Sequence, residues 1–228
     1  MIDDIFLTDK CVLLVYPVGA SGKFLSNALS LNDNFFYQSI KFEYSAEKRY
    51  RTLLDKMNTF KKSKSSRWND IDLGDHQLFG IRNYKSGDEE DTVEYHRQEL
   101  ISQKIYHSIL KKAIKTNMHF FRTCQSEEAY LFYERMWPNS KVIYLYNSED
   151  WIRIRNTGKF DFSINEDIDH NVIKKDFVKF DCLSFTNKET FINSYIRLLK
   201  DFSISPSNLG NVSILYDMYI DLHDIKLQ

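Results

Sequence analysis

Glycine and proline are scarce in this chain, seven and three among 228 residues. That scarcity excludes collagen-like and Pro/Gly-rich low-complexity architectures, and it makes each of these residues the mark of a specific turn. Cysteine is scarce too. Cys11, Cys124 and Cys182 are odd in number, widely spaced and without a C-x-x-C pair. They exclude a disulfide framework and a cysteine zinc site, and imply a reducing compartment. No run approaches the roughly 18 apolar residues that span a bilayer, and the opening Met1-Ile2-Asp3-Asp4 is acidic where a secretory leader is basic. An excess of one charge is also missing. With 31 Lys+Arg against 32 Asp+Glu the net charge is −1, so nothing pulls the whole chain toward nucleic acid or an anionic membrane. The expectation is a soluble cytoplasmic protein with no nucleic-acid or membrane partner, whose anion binding must be local.

What is present is apolar and aromatic material. Hydrophobic residues make up 43% of the chain and aromatics 15%, enough to exclude disorder. The length suits one α/β domain over residues 1–228 with a sizeable core.

The most informative stretch runs from Val12 to Leu29. Val12-Leu13-Leu14-Val15-Tyr16 reads as a short buried strand, Pro17-Val18-Gly19-Ala20-Ser21-Gly22-Lys23 as a glycine loop, and Phe24 onward as a helix. A loop that turns its N–H groups inward at a helix N-terminus suits a phosphate or sulfate. The spacing nearly matches G-x-x-x-x-G-K-[ST], with Gly22 and Lys23 in register, Pro17 in place of the first glycine and Phe24 in place of the hydroxyl residue. Phenylalanine cannot hold Mg²⁺, so the loop predicts a phosphate site without a metal. The plain alternative is a tight strand-to-helix turn whose glycines serve only geometry.

Further along, Phe35 to Ile40 reads as a strand or a helix start, and Ser45 to Met57 has helical composition. The basic run Lys61 to Trp68 is either a solvated loop or a flap over an anionic ligand, and Lys85 to Asp91 is an acidic surface loop. A long helix is expected over Val93 to Lys115, with Leu100, Ile101, Ile105, Ile109 and Leu110 on its apolar face. Met118 to Thr123 predicts a strand, and Ser126 to Trp137 a capped helix ended by Pro138. Lys141 to Tyr146 is the next strand, and Glu189 to Asp201 an amphipathic helix. Val212 to Leu222 fits a helix or a strand. Strand, helix, strand in this order favours a parallel sheet.

Two segments together resemble the sulfotransferase family, P-loop-like proteins that use 3′-phosphoadenosine 5′-phosphosulfate. One is the loop Tyr16 to Leu25. The other is Trp137-Pro138-Asn139-Ser140-Lys141-Val142-Ile143-Tyr144-Leu145-Tyr146-Asn147-Ser148-Glu149-Asp150-Trp151, similar to the family's strand and following turn that hold the 3′-phosphate. The resemblance implies a three-layer α/β fold of the P-loop nucleoside-triphosphate-hydrolase type, with a central parallel sheet and helices on both faces. It implies transfer of a sulfuryl group from 3′-phosphoadenosine 5′-phosphosulfate to a hydroxyl or amine of a small-molecule or saccharide acceptor.

The implied donor site comprises Gly19, Ala20, Ser21, Gly22, Lys23, Phe24, Asn147 and Arg155. Lys23 is the cation expected on the transferring group, and His119, beside the predicted strand end Arg122-Thr123-Cys124, is the expected base. The chain departs from the family pattern at Gly22-Lys23-Phe24, where Gly-Thr-Thr or Gly-Thr-Ser is usual, and at Tyr146 to Asp150, where the 3′-phosphate arginine is missing. Arg153 and Arg155 are the available substitutes. His119 also reads as a satisfied core histidine, and His96 with His107 lacks a third metal ligand. Two other classes fit the same loop: a catalytically inactive nucleotide- or anion-binding protein on this scaffold, and a small-molecule kinase, which Phe24 disfavours.

Overall fold

The computed structural model describes residues 3–17, 21–35, 47–48, 50–52, 54–55, 89–156, 168–173 and 175–223. Within them, four parallel strands form one sheet: β1 (Cys11–Val15), β2 (Phe120–Cys124), β3 (Lys141–Tyr146) and β4 (Phe177–Asp181). Their order is β2-β1-β3-β4. Cys11 faces Phe120 and Val15 faces Cys124 in one ladder, while Val15 pairs with Tyr144 in the other.

Parallel strands covered on both faces read as continuous apolar runs, and all five residues of β1 are buried. The period of two divides them between two cores. Val12, Leu14 and Tyr16 enter one apolar cluster, and Cys11, Leu13 and Val15 the other. The first face is covered by α1 (Gly22–Ser30), α6 (Lys188–Asp201) and α7 (Leu209–His223), with Trp151 of α5 (Glu149–Asn156). The second is covered by α2 (Glu89–Ser102), α3 (Lys104–Lys115) and α4 (Glu127–Met136), with Ile5 and Phe6 of a 3-10 turn at Asp4–Phe6. The expected central parallel sheet with helices is therefore present, and the predicted first and third strands are neighbours in it.

Local chemistry sets the helix ends. Ser126 Oγ accepts from the Ala129 N–H at 3.2 Å to open α4, and Asn187 Oδ1 accepts from the Thr190 N–H at 3.0 Å to open α6. Arg97 Nη2 donates to the Arg135 carbonyl at 2.5 Å and satisfies the last turn of α4.

The single helix expected over Val93 to Lys115 is two helices. They break at Gln103, whose backbone at φ −77°, ψ 71° is not helical. The bend carries Leu100, Leu110 and Ala113 into one core, whereas Ile105, assigned from periodicity to the apolar face, is 70% exposed. The segment left open between helix and strand, Val212 to Leu222, lies in α7. The expectations for Phe36 to Ile40, for the basic run Lys61 to Trp68 and for most of Lys85 to Asp91 fall outside the described residues; Phe35 makes one isolated parallel bridge, to His119. No helix of the described residues is long and apolar enough to cross a membrane.

Candidate functional site

The chain leaves β1, crosses to β2 on one side, then returns past β1 to β3 on the other. In an open parallel sheet such a reversal leaves a crevice outside the carboxyl ends of the two strands concerned, here β1 and β3. Both recognisable sequence segments reach that crevice. Tyr16 and Pro17 continue β1 into the loop that ends at Ser21 and α1, and Asn147-Ser148 continue β3 into α5. Because Val15 pairs with Tyr144, the two strand exits lie side by side. The positive ends of α1 and α5 therefore face the same edge of the sheet.

At the loop's end the backbone does something the sequence did not suggest. The left-handed residue is Ser21, at φ 58°, ψ 23°, while Gly22 is the first residue of α1. A left-handed serine costs about 1 kcal/mol or slightly more. Glycine is needed at position 22 for closeness instead, since a Cβ there would overlap the ring of Tyr16. Tyr16 is itself 2% exposed, and its hydroxyl accepts from Gln125 Nε2 at 3.3 Å, which ties the exit of β1 to that of β2.

Phe24 explains the departure at the hydroxyl position. Its side chain is fully buried, stacked on Tyr219 at 4.2 Å between ring centroids and packed against Phe185, Phe191 and Tyr216. Only its backbone N–H could meet a ligand, so the expected contribution of Phe24 reduces to that amide. Lys23 lies half-buried in the first turn of α1. Gly19 and Ala20 lie outside the described residues, as does the side chain of Arg155. Arg153 is committed to Asp150 at 2.6 Å on the exposed side of α5.

His119 is not brought to this crevice. It precedes β2 at the amino end of the sheet, level with Lys10, and the length of the strand, about 16 Å, separates it from the exits. Its backbone N–H donates to the Asn34 carbonyl at 2.7 Å, and its ring lies 5.5 Å from that of Phe35. Burial pushes its pKa down to about 4, helped by the charges of Lys10 and Lys141. A neutral histidine in the core, at the wrong end of the sheet, cannot serve a ligand held by the loop. The sequence placed it next to a strand but could not show which end of that strand faces the loop.

Arg122, on the strand after His119, is buried with its guanidinium over Trp137 at 5.2 Å and Tyr133 at 5.9 Å, within the second core. Glu127 and Glu128 open α4 at the carboxyl end of β2. Hydrogen bonds from its own backbone N–H and from Ser126 lower the carboxyl pKa of Glu128, and Glu127 Oε1 accepts from the Asp169 N–H at 3.2 Å. His96 pairs with Glu99 on α2, His107 on α3 pairs with Asp3 at the start of the chain, and among the described residues no three His, Cys, Asp or Glu side chains group as a metal site.

The residue that sequence reasoning missed is Tyr219. From the far end of the chain its hydroxyl shares a 2.5 Å hydrogen bond with Ser21 Oγ. Nothing local in the C-terminal segment signals this, because the contact spans 198 residues.

No protein-family model, no curated protein and no solved structure matches the chain.

Proposed function

We propose that the chain binds a phosphorylated adenosine ligand, 3′-phosphoadenosine 5′-phosphosulfate or the bisphosphate that it leaves, at the carboxyl ends of β1 and β3. The single observation that carries this reading is the convergence of the two segments resembling the sulfotransferase family: they lie more than a hundred residues apart, yet leave adjacent strands at one crevice. Lys23 and the first-turn amides of α1 would hold one anionic group, and the turn at Asn147 with the N-terminus of α5 the other. That division matches a ligand with anions at two ends of an adenosine better than it matches a triphosphate chain.

Sulfuryl transfer is the reaction such a donor supports, within a P-loop-like fold. It needs a base near the acceptor, and with His119 remote the candidates are the carboxylates of Glu127 and Glu128, which open α4 at the carboxyl end of β2. A binding protein without transfer differs from the enzyme only in that last requirement.

Isothermal titration tests the reading. Adenosine 3′,5′-bisphosphate should bind without metal, and ATP with Mg²⁺ should bind no better than ATP alone. Tighter binding of ATP with Mg²⁺ would favour a kinase, and no binding of either would leave the loop as a structural turn. Sulfuryl transfer from the phosphosulfate donor to phenolic and saccharide acceptors, lost in Glu127→Gln, would establish the enzyme.

A further inference from the structure

On the face of the sheet opposite α1, the consecutive helices α2 and α3 have sorted their charges. α2 holds Glu89, Glu90, Asp91, Glu94 and Glu99 against Arg97, a balance of −4, whereas α3 holds Lys104, Lys111, Lys112 and Lys115 and no carboxylate, a balance of +4. In a chain whose net charge is −1 this is a local separation and not a global excess. The dipole of α3 suits Lys112 and Lys115 in its last turn, but it gives no reason for a helix without acids. Lys115 lies three and four residues from Lys112 and Lys111, spacings at which like charges repel. Carboxylates from elsewhere must answer these lysines, as Asp3 does for Lys111 at 3.4 Å.

The same pair of helices carries the two most exposed large apolar side chains among the described residues, Tyr95 at 65% and Ile105 at 70%. Val93, Leu100, Leu110 and Ala113 turn into the second core. The outer side therefore presents Glu94, Tyr95 and Gln98 from α2, and Lys104, Ile105 and Lys115 from α3.

An acidic helix followed at once by a basic one is complementary to itself. When two copies meet about a two-fold axis near the break at Gln103, each α2 lies along the other copy's α3, and every unlike pair occurs twice. We infer that the outer side of α2 and α3 is a self-association surface whose partner is a second copy of this chain, with Tyr95 and Ile105 as apolar contacts among the opposed charges. Charge complementarity selects this partner. A polyanion or an anionic membrane drawn to α3 is repelled by α2, whereas a second copy satisfies both. A strip about 39 Å long and about 10 Å wide offers roughly 400 Å² per copy, half of a standard interface, so the dimer is weak, reversible and sensitive to salt. The ligand reading of the crevice plays no part in this inference.

Charge swaps test it. One variant combines Lys104→Glu with Lys115→Glu, and the other combines Glu94→Lys with Gln98→Lys; all four positions are exposed, so both variants should keep the wild-type circular dichroism. In sedimentation velocity at low salt, the wild type should pass from monomer to dimer between micromolar and near-millimolar protein. Each variant alone should dimerise more weakly by roughly tenfold or more. An equimolar mixture of the two should dimerise more tightly than either alone, because the intact α2 of one then meets the intact α3 of the other.

A wild type that stays monomeric over that range overturns the inference. If that monomer binds phosphatidylserine vesicles and the lysine variant does not, α3 belongs to an anionic membrane instead. A dimer that both variants leave unchanged lies elsewhere on the molecule, and a mixture no tighter than its components rules out the pairing of α2 with α3; either result also overturns it.

Discussion

Single residues in this protein are explained by what they touch, and the explanation often differs from the one their type suggests. His119 is the clearest case. Burial of its ring favours the neutral form, the charges of Lys10 and Lys141 add to that, and Asp9 and a hydrogen bond to the Lys10 backbone oppose them. Its folded pKa is thus depressed to about 4 from the ordinary 6.5. Between those values the unfolded chain binds more protons than the folded one, so stability is complete above pH 6.5 and falls as the pH drops toward 4. The contribution is on the order of 2 kcal/mol, discounted for solvent screening. Denaturant melts at pH 7 and pH 4.5 should show the loss in the wild type, and His119→Phe should remove that part of the slope. Equal slopes would mean that the ring is charged in the native state. At Phe24 the expectation is steeper. Phe24→Thr supplies the hydroxyl of a metal-binding phosphate loop but empties the centre of an aromatic cluster, so it should cost about 3–5 kcal/mol and gain no Mg²⁺ dependence in calorimetry.

At the scale of elements, the caps and the strands were legible and the geometry between elements was not. Ser126 and the Pro138 turn bracket α4 as their chemistry requires, so Ser126→Ala should cost about 1 kcal/mol in chemical denaturation, and a cost near zero would show that tertiary packing alone fixes this helix. The strands could be read because both faces are covered, which leaves β1 and β3 as unbroken apolar runs. The break at Gln103 could not be read. No glycine or proline marks it, and the bend follows from where the second core needs Leu100, Leu110 and Ala113. The same limit explains Gly22, whose place in the phosphate-loop spacing was legible while its contact with Tyr16 was not. Gly22→Ala adds a helix former yet should destabilise by about 1–3 kcal/mol through overlap with that ring. The penalty should shrink in a Tyr16→Leu background, as a double-mutant cycle would report.

At the scale of the molecule, the candidate site is assembled from both ends of the chain. Its loop follows the first strand, its second turn follows the third, and its support comes from the last described helix, so no contiguous fragment holds it. Sequence spacing identified the loop and the turn because each is local. Their adjacency belongs to strand order, and the support of Tyr219 belongs to helix packing, neither of which a linear pattern encodes. This layout has a thermodynamic consequence. A ligand that binds only the assembled crevice stabilises the whole fold, by about 2.7 kcal/mol at a hundredfold excess over its dissociation constant. For a domain of this size that corresponds to a rise of about 5–10 °C in melting temperature. Adenosine 3′,5′-bisphosphate should produce such a rise in the wild type. Lys23→Ala should produce a clearly smaller one at the same multiple of the wild-type dissociation constant, each rise taken from that protein's own unliganded melting temperature. If the two proteins respond alike, Lys23 does not hold the anion and the site is built from backbone amides alone. If neither responds, the crevice at β1 and β3 is not where this chain binds its ligand.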